Sequence, residues 1–354
     1  MIFALLIGGK KMEPKNNFLT DLYPQLSENL LSPQQREYYR VNGGFHLLKS
    51  LQVEVVWEIN ECQKLWKKFS SYQTLFDTWS FRLAFWRGYQ YQPYFLVLKN
   101  THPQALLPLW YDQTKKHYTW FGSDWQEENK FFAKDPQLVP LLMAACPTPA
   151  SLNAISLDLP SELIGSSSLK PDEPKYILKL NHFQSADDYL ATLSKKKRYN
   201  LRRDQRIIQR QRPVTIFNRF SDLEKLINLS MKRFQQKGEE TDWEDPRRRE
   251  TFRQVIKLGQ EQEDYQLRML TVVVGRMTAA VDLIVLFNNC YYPLKCGYDV
   301  RNFPGIGNYV NLLEIEDALS LGMEKMDFLE IGYGWKDKWF EEVPLLKYEK
   351  ASSG

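Results

Sequence analysis

Cysteine and histidine are scarce, with four of each in 354 residues. Cys62, Cys146, Cys290 and Cys296 show no C-x-x-C spacing and lie near no histidine pair, so neither a zinc site nor a disulfide framework is supported. His46, His102, His117 and His182 are scattered without a partner motif and read as structural or surface residues. We therefore expect no metal and a reduced, cytoplasmic setting. Long apolar runs are missing too. The opening MIFALLIGGKK falls far short of the ~20 residues that span a bilayer, and it lacks a basic n-region and a small-residue cleavage site. It resembles neither a signal peptide nor an anchor, and Met12 is an alternative initiator. The net charge is only +4, so global electrostatics do not demand nucleic acid, and only a local concentration of charge can.

Aromatic residues are plentiful, at 14% with ten Trp and nineteen Tyr, and a hydrophobic content of 43% suffices for two cores. Rings stack on sugars and bases, but core and strand-face packing is their commoner use.

Along the chain, residues 1–48 are polar and are expected to lie on the surface of the unit that begins at residue 49. Ile59 to Phe69 and Trp79 to Arg87 suit helices, and Tyr94 to Lys99, Ala105 to Tyr111 and Tyr118 to Gly122 suit a meander of strands. A helix from Pro136 to Cys146 and a strand from Ala154 to Leu159 complete a first unit, residues 49–160. The Ser- and Pro-bearing stretch 161–175 reads as a linker.

The second unit, 176–350, repeats this order. It opens with a long helix from Ser185 to Gln211 and a strand from Val214 to Asn218. Helices come next over Ser221 to Gln236, with Ser221 as N-cap, and over Pro246 to Gln262. Strands Leu267 to Val274, Ala279 to Phe287 and Tyr291 to Tyr298 are joined by turns at Gly275-Arg276 and Asn288-Asn289. The turn Arg301 to Gly307, RNFPGIG, then leads into an amphipathic helix from Asn308 to Leu321, closed by Gly322, and a strand from Met326 to Ile331. Strand, Gly-x-Gly turn and helix together suit anion binding, because glycines expose backbone N–H groups at a helix start.

The run GYDVRNFPGIGNYVNLLEIEDALSLGMEKMDFLEIGYGWKDKWF resembles GNAT-superfamily acyltransferases of the kind related to CelD of cellulose biosynthesis and, through them, the Fem-type aminoacyl transferases. The resemblance rests on Tyr298-Asp299, Pro304-Gly305, the helix, Gly322, Asp327-Phe328 and the Gly332-x-x-x-Lys336 segment, in order over about fifty residues. The spacing departs from the usual pyrophosphate loop, since three residues separate Arg301 from Gly305. The resemblance implies an α/β (α+β) fold of two tandem GNAT-like domains, each a mixed, mostly antiparallel sheet flanked by helices. Only the second domain holds the turn; the first, degenerate, is expected to wall the substrate cleft. An acyl donor is implied as well, most simply acyl-CoA, on Arg301, Gly305, Ile306, Gly307 and Asn308.

Acyl transfer to an amine needs a base, a positioned carbonyl and a stabilised leaving group. Asp299 is the candidate base or amine-orienting group, with turn capping as its plain alternative. Tyr298 and Tyr333 are candidate donors to the leaving group, or packing residues. Lys336 is placed to neutralise developing charge, and Asp327 to hold the C-terminal loop by hydrogen bonds. Trp335 and Trp339 either floor a sugar site or anchor the core.

Nine basic residues crowd Leu193 to Arg212 against the single acid Asp204, and Arg198, Arg202, Arg206 and Arg210 line one helical face. The ridge is either acid-paired, by Glu239, Glu240 and Glu244, or reads the phosphate of a nucleotide-linked substrate, or meets nucleic acid or an anionic membrane. The resemblance adds a Ser-Lys-Lys-x-Arg segment, matched by Ser194, Lys196 and Arg198, and favours substrate binding by Lys196, Arg198 and Arg202, with Tyr333 and Trp339.

The reading that results is an N-acyltransferase acting on an amino group of a cell-envelope sugar or nucleotide-linked precursor. Its alternatives are a Fem-type enzyme drawing on charged tRNA and a non-catalytic module that binds polysaccharide or the inner membrane surface.

Overall fold

The computed structural model describes residues 31–42, 51–164, 168–262, 264–330 and 334–351. Most of the segment 1–48, with Gly332 and Tyr333, lies outside the described residues.

After helix α1 (Pro33–Asn42), the first unit runs β1 (Gln52–Val56), α2 (Ile59–Phe69), α3 (Trp79–Tyr89), β2 (Pro93–Lys99), β3 (Pro103–Asp112), β4 (His117–Trp120), β5 (Phe132–Ala133), α4 (Val139–Ala145) and β6 (Ala150–Ile155). Next come α5 (Ser161–Ile164), β7 (Leu169–Pro171), β8 (Lys175–Lys179), α6 (Ala186–Thr192), α7 (Lys195–Gln209), β9 (Val214–Phe217), α8 (Leu223–Lys237) and α9 (Pro246–Gln262). The chain closes with β10 (Gln266–Val274), β11 (Met277–Phe287), β12 (Cys290–Tyr298), α10 (Ile306–Ser320), β13 (Lys325–Glu330), β14 (Glu341–Val343) and β15 (Leu346–Lys350).

Two mixed, mostly antiparallel sheets result. The first runs β1-β2-β3-β4-β6-β15-β7, with β5 on β3, and the second runs β14-β8-β13-β12-β11-β10-β9. Each has one parallel junction, β4 with β6 and β12 with β13.

Most expected elements are present, and the differences have local causes. The expected strand Ala154 to Leu159 lies four residues earlier, where Ala150, Leu152 and Ala154 alternate inward. The long helix Ser185 to Gln211 is two helices: Ser185 and Asp188 form a capping box for α6, and Leu193 and Ser194 are extended before α7 restarts. Ser221 is not the N-cap of α8. That position belongs to Asp222, whose buried carboxylate binds Arg219, Lys225 and Thr271. The expected linker 161–175 holds α5 and β7, and β15 leaves the second unit to pair with β6 and β7 of the first. Distant pairing of this kind carries no local signature.

The two units share one core. Trp66, Trp79, Phe85 and Phe121 of the first pack in one cluster with Trp243, Phe252, Val281 and Tyr292 of the second. Burying each such side chain contributes about 1.5–3 kcal/mol. Helices α3 and α9 approach so closely that a Cβ on Gly88 would lie 2.1 Å from Thr251 Oγ1. Among the described residues no helix is long and apolar enough to cross a membrane.

Candidate active site

Strands β12 and β13 are paired only at Cys290–Lys325 and Tyr291–Met326, and beyond this they diverge. The fork holds a cavity of about 830 Å³, walled by both strands, the start of α10, α8 and residues of the 124–127 segment from the first unit.

One wall is the turn. Gly305 caps α10 at φ 85°, a conformation glycine adopts without strain. The Ile306 N–H is bonded to Phe303 O and Tyr309 N–H to Gly305 O, whereas the N–H groups of Gly307 and Asn308 find no acceptor among the described residues. Both residues line the cavity, so two N–H donors without an acceptor stand beside it at the start of a 15-residue helix. This suits an anionic group such as a phosphate.

The rest of the expected donor set is used otherwise. Ile306 is fully buried in the core, Arg301 is exposed off the cavity, and Gly305 faces α7, where a Cβ would lie 2.8 Å from Asp204 Cβ. The Asn308 side chain donates to Asp204 Oδ2 at 2.7 Å. The turn is thus pinned to the basic helix by that helix's one acid.

The opposite wall is acid and base. The register of β13 on β8 slips between Asp327 and Glu330, Leu329 stands at φ 66°, and its N–H is held by Asp327 Oδ1 at 3.0 Å. Strain of this kind clusters at functional sites. Glu330 donates its backbone N–H to the Glu127 carboxylate, and its own Oε1 is buried without a hydrogen-bond partner. Burial pushes the Glu127 carboxyl up to about 7, opposed by Lys336 and the Glu330 N–H. Burial, reinforced by Glu127, pushes Glu330 up to about 9. Lys336 is buried and donates to the carbonyls of Phe328 and, at 2.6 Å, Glu330; burial lowers its pKa.

Between these walls Tyr298 donates to Asp282 Oδ2 at 2.6 Å. Burial raises both Asp282, to about 7, and Glu314, which the nearby Asp282 raises further. Tyr298, Lys336, Gly307 and Asn308 are therefore brought to one cavity.

Other candidates are not. The Asp299 carboxylate does not line the cavity; it caps the turn, accepting from Asn302 N at 3.1 Å and Asn302 Nδ2 at 2.7 Å. Trp339 packs on Tyr189 and Phe340 in the core, and Trp335 lines the cavity instead. Asp327 holds Lys175 and Leu329 N–H. Lys196, Arg198 and Arg202 stand on α7 away from the cavity. Arg202 pairs with Asp187 at 2.9 Å and Arg203 with Asp204 at 2.8 Å, so the expected partners Glu239, Glu240 and Glu244 are not the ones used.

Sequence reading missed Glu127, Glu330, Asp282, Glu314 and Lys295. Asp282 carried a signal, since it is an acid inside an otherwise apolar stretch, AAVDLIVLF, whereas Glu314 shares LLEIEDAL with Glu316 and Asp317 and did not stand out. Glu127 carried none, because it sits in an irregular loop of the other unit.

Residues 195–337 match the GNAT acetyltransferase domain family. The chain is an acyltransferase built on a GNAT domain. Among solved structures it is similar to FemX, at 10% identity and a TM-score of 0.53 over 84% of this chain and 97% of that one. A conserved protein of unknown function from Bacteroides thetaiotaomicron gives 14% and 0.50 over 84% and 100%. The C-terminal domain of a putative lysylphosphatidylglycerol synthetase from Agrobacterium fabrum gives 9% and 0.50 over 82% and 92%. These likenesses extend the shared fold across both units of this GNAT acyltransferase. No curated protein matches the chain.

Proposed function

We propose that this acyltransferase is an N-acyltransferase of the CelD-like type, moving an acyl group from acyl-CoA to an amino group of a cell-envelope sugar or nucleotide-linked precursor. The observation that carries this reading is one cavity with two free N–H donors on one wall and the Glu127–Glu330 pair beside Lys336 on the other. The N–H groups of Gly307 and Asn308 hold the donor's phosphate. Glu330, with Glu127, takes the role expected of Asp299: a carboxyl raised into the range of about 7 to 9 accepts a proton from an ammonium and yields the neutral amine. The amine then attacks the acyl carbonyl, a C–N bond forms, and the thioester C–S bond breaks. Lys336 holds the end of β13 in place and offsets negative charge. Tyr298 stands by the leaving group, its hydroxyl held by Asp282.

Purified protein incubated with acetyl-CoA and a panel of amines, including glucosamine and UDP-glucosamine, is expected to release free CoA and give N-acetylated product by mass spectrometry. No transfer to any amine, at any pH from 6 to 9, overturns the reading.

A second reading draws the acyl group from charged tRNA. It is supported by the exposed cations of α7 and by the likeness to FemX and to a putative lysylphosphatidylglycerol synthetase. Contact with an anionic membrane surface through the same ridge belongs to it. Copurification of tRNA rather than CoA, with binding that falls steeply with salt, selects it.

A further inference from the structure

Lys295 is a partly buried cation that the chemistry above leaves unused. The register of β12 on β11 slips between Leu283 and Ile284, so Leu294 is an extra residue, and Lys295 lines the cavity. Bulges re-aim side chains in this way. Its Nζ lies 5.3 Å from the Trp125 ring, 5.1 Å from Trp243 and 5.5 Å from Phe252, and donates to Asp242 Oδ2 at 2.7 Å. One layer behind, the buried guanidinium of Arg248 packs 6.0 Å from Trp125 and 5.6 Å from Tyr89. Its Nε reaches the same Asp242 oxygen at 3.5 Å, and Nε and Nη1 make no hydrogen bond.

Two cations thus share one carboxylate. Asp245, the other acid by Arg248, is held in a fork by Arg247. Glu127, also near Lys295, is bonded to Glu330 N–H and faces Lys336. Aromatic faces return about 0.5–2 kcal/mol to a cation, against several kcal/mol for burying an ion. An anion at Lys295 closes this gap.

We propose that Lys295 is the carboxylate subsite of the acceptor, so that the acceptor is an amine that also carries a carboxylate, either an amino acid or an amino sugar acid. Arg248, 3.5 Å from the Asp242 oxygen that Lys295 holds, adds a second positive charge behind the subsite, and Asp242 faces both cations. The inference rests on the acyl-transfer reading, which puts the amine at Glu127 and Glu330. Glu127 and Lys295 line the same cavity, so one small molecule held there can meet both.

The test uses two probe pairs that differ only in the carboxylate: L-lysine against cadaverine, and glucosaminuronic acid against glucosamine. In calorimetry the carboxylate member of at least one pair is expected to bind the wild type about tenfold to a hundredfold more tightly. That advantage should vanish in Lys295→Met and grow in Asp242→Asn, which keeps the lysine and removes its competitor. Equal affinity within both pairs, no binding by either carboxylate, or a preference unchanged in Lys295→Met overturns the subsite. Inorganic phosphate bound at Lys295 more tightly than either carboxylate also overturns it. Acyl transfer from acetyl-CoA is scored separately. Transfer without carboxylate preference sinks the subsite alone, and Lys295-dependent carboxylate binding without transfer to any amine sinks the acyl-transfer reading alone.

Discussion

The two sheets have one design and opposite fates. Each is antiparallel except for one short parallel junction, at Tyr118–Ala150 in the first and Cys290–Lys325 in the second. In the first, the space beyond the junction is closed by the chain itself: Asn129 bridges to Ile155, its N–H bonds Ala154 O at 2.8 Å, and Trp120 Nε1 bonds Asn153 O at 2.8 Å. Arg82, fully enclosed, ties this plug together through Phe121 O, Glu128 O and Asn129 Oδ1. In the second, the same space is the cavity. A filled fork becomes scaffold and an open one becomes a site, and the plug of the first contributes Trp125 and Glu127 to the second.

The sharpest way to break this contrast is chemical. Glu330→Gln is expected to lower kcat by about 10² to 10⁴ with donor affinity unchanged, and Glu127→Gln to act in the same direction. Steady-state kinetics with a fixed donor check this. In the wild type the rate should rise with pH from about 7 to about 9 as Glu127 and Glu330 lose their protons.

Opening the filled fork comes next. Arg82→Met leaves four buried carbonyl-type acceptors, Phe76 O among them, without a donor and should cost about 2–4 kcal/mol by denaturant titration. Activity should fall as well, because Glu127 moves with the plug. Wild-type activity in a destabilised variant would show that the plug is scaffold only.

The glycines of the turn separate fold from binding. Gly305→Val meets both the positive φ and Asp204, and should cost about 1–3 kcal/mol. Gly307→Ala meets only the Tyr298 ring at 3.3 Å, so it should weaken donor binding while leaving Tm near the wild type.

Stability should also depend on pH. Asp282, Glu127, Glu330 and Glu314 hold their protons when folded but ionise near about 4 when unfolded. Their contribution is therefore complete at acid pH and is lost as pH rises toward 7 to 9, and Glu314→Gln should flatten the fall in Tm.

The smallest effect is expected on the ridge. Arg202→Ala with Arg206→Ala removes exposed charges and should shift stability by less than about 0.5 kcal/mol. A loss of tRNA affinity in that variant, with a shallower salt slope, would strengthen the second reading.

Much of this was legible in the chain. The turn RNFPGIG, the helix after it and the strand on either side carry their own local signals in Pro, Gly and apolar spacing, and α2 and α9 begin and end where the sequence places them. Lys336 and Tyr298 were reachable because the motif that holds them is contiguous. Asp299 kept two readings for a local reason: an Asp at a strand end is as good a turn cap as a base, and in the fold its carboxylate accepts from Asn302 in the turn.

The sequence by itself determined most of the elements and the position of the Gly-x-Gly turn, because propensity, capping and periodicity act over a few residues. Only the tertiary structure decided which fork stays open, that β15 returns to the first sheet, and that Glu127 meets Glu330 across more than two hundred intervening positions. The acid–base character of the site belongs to that second class. A carboxyl rises to about 7 or 9 only when packing strips it of water, and its own sequence neighbours do not do that.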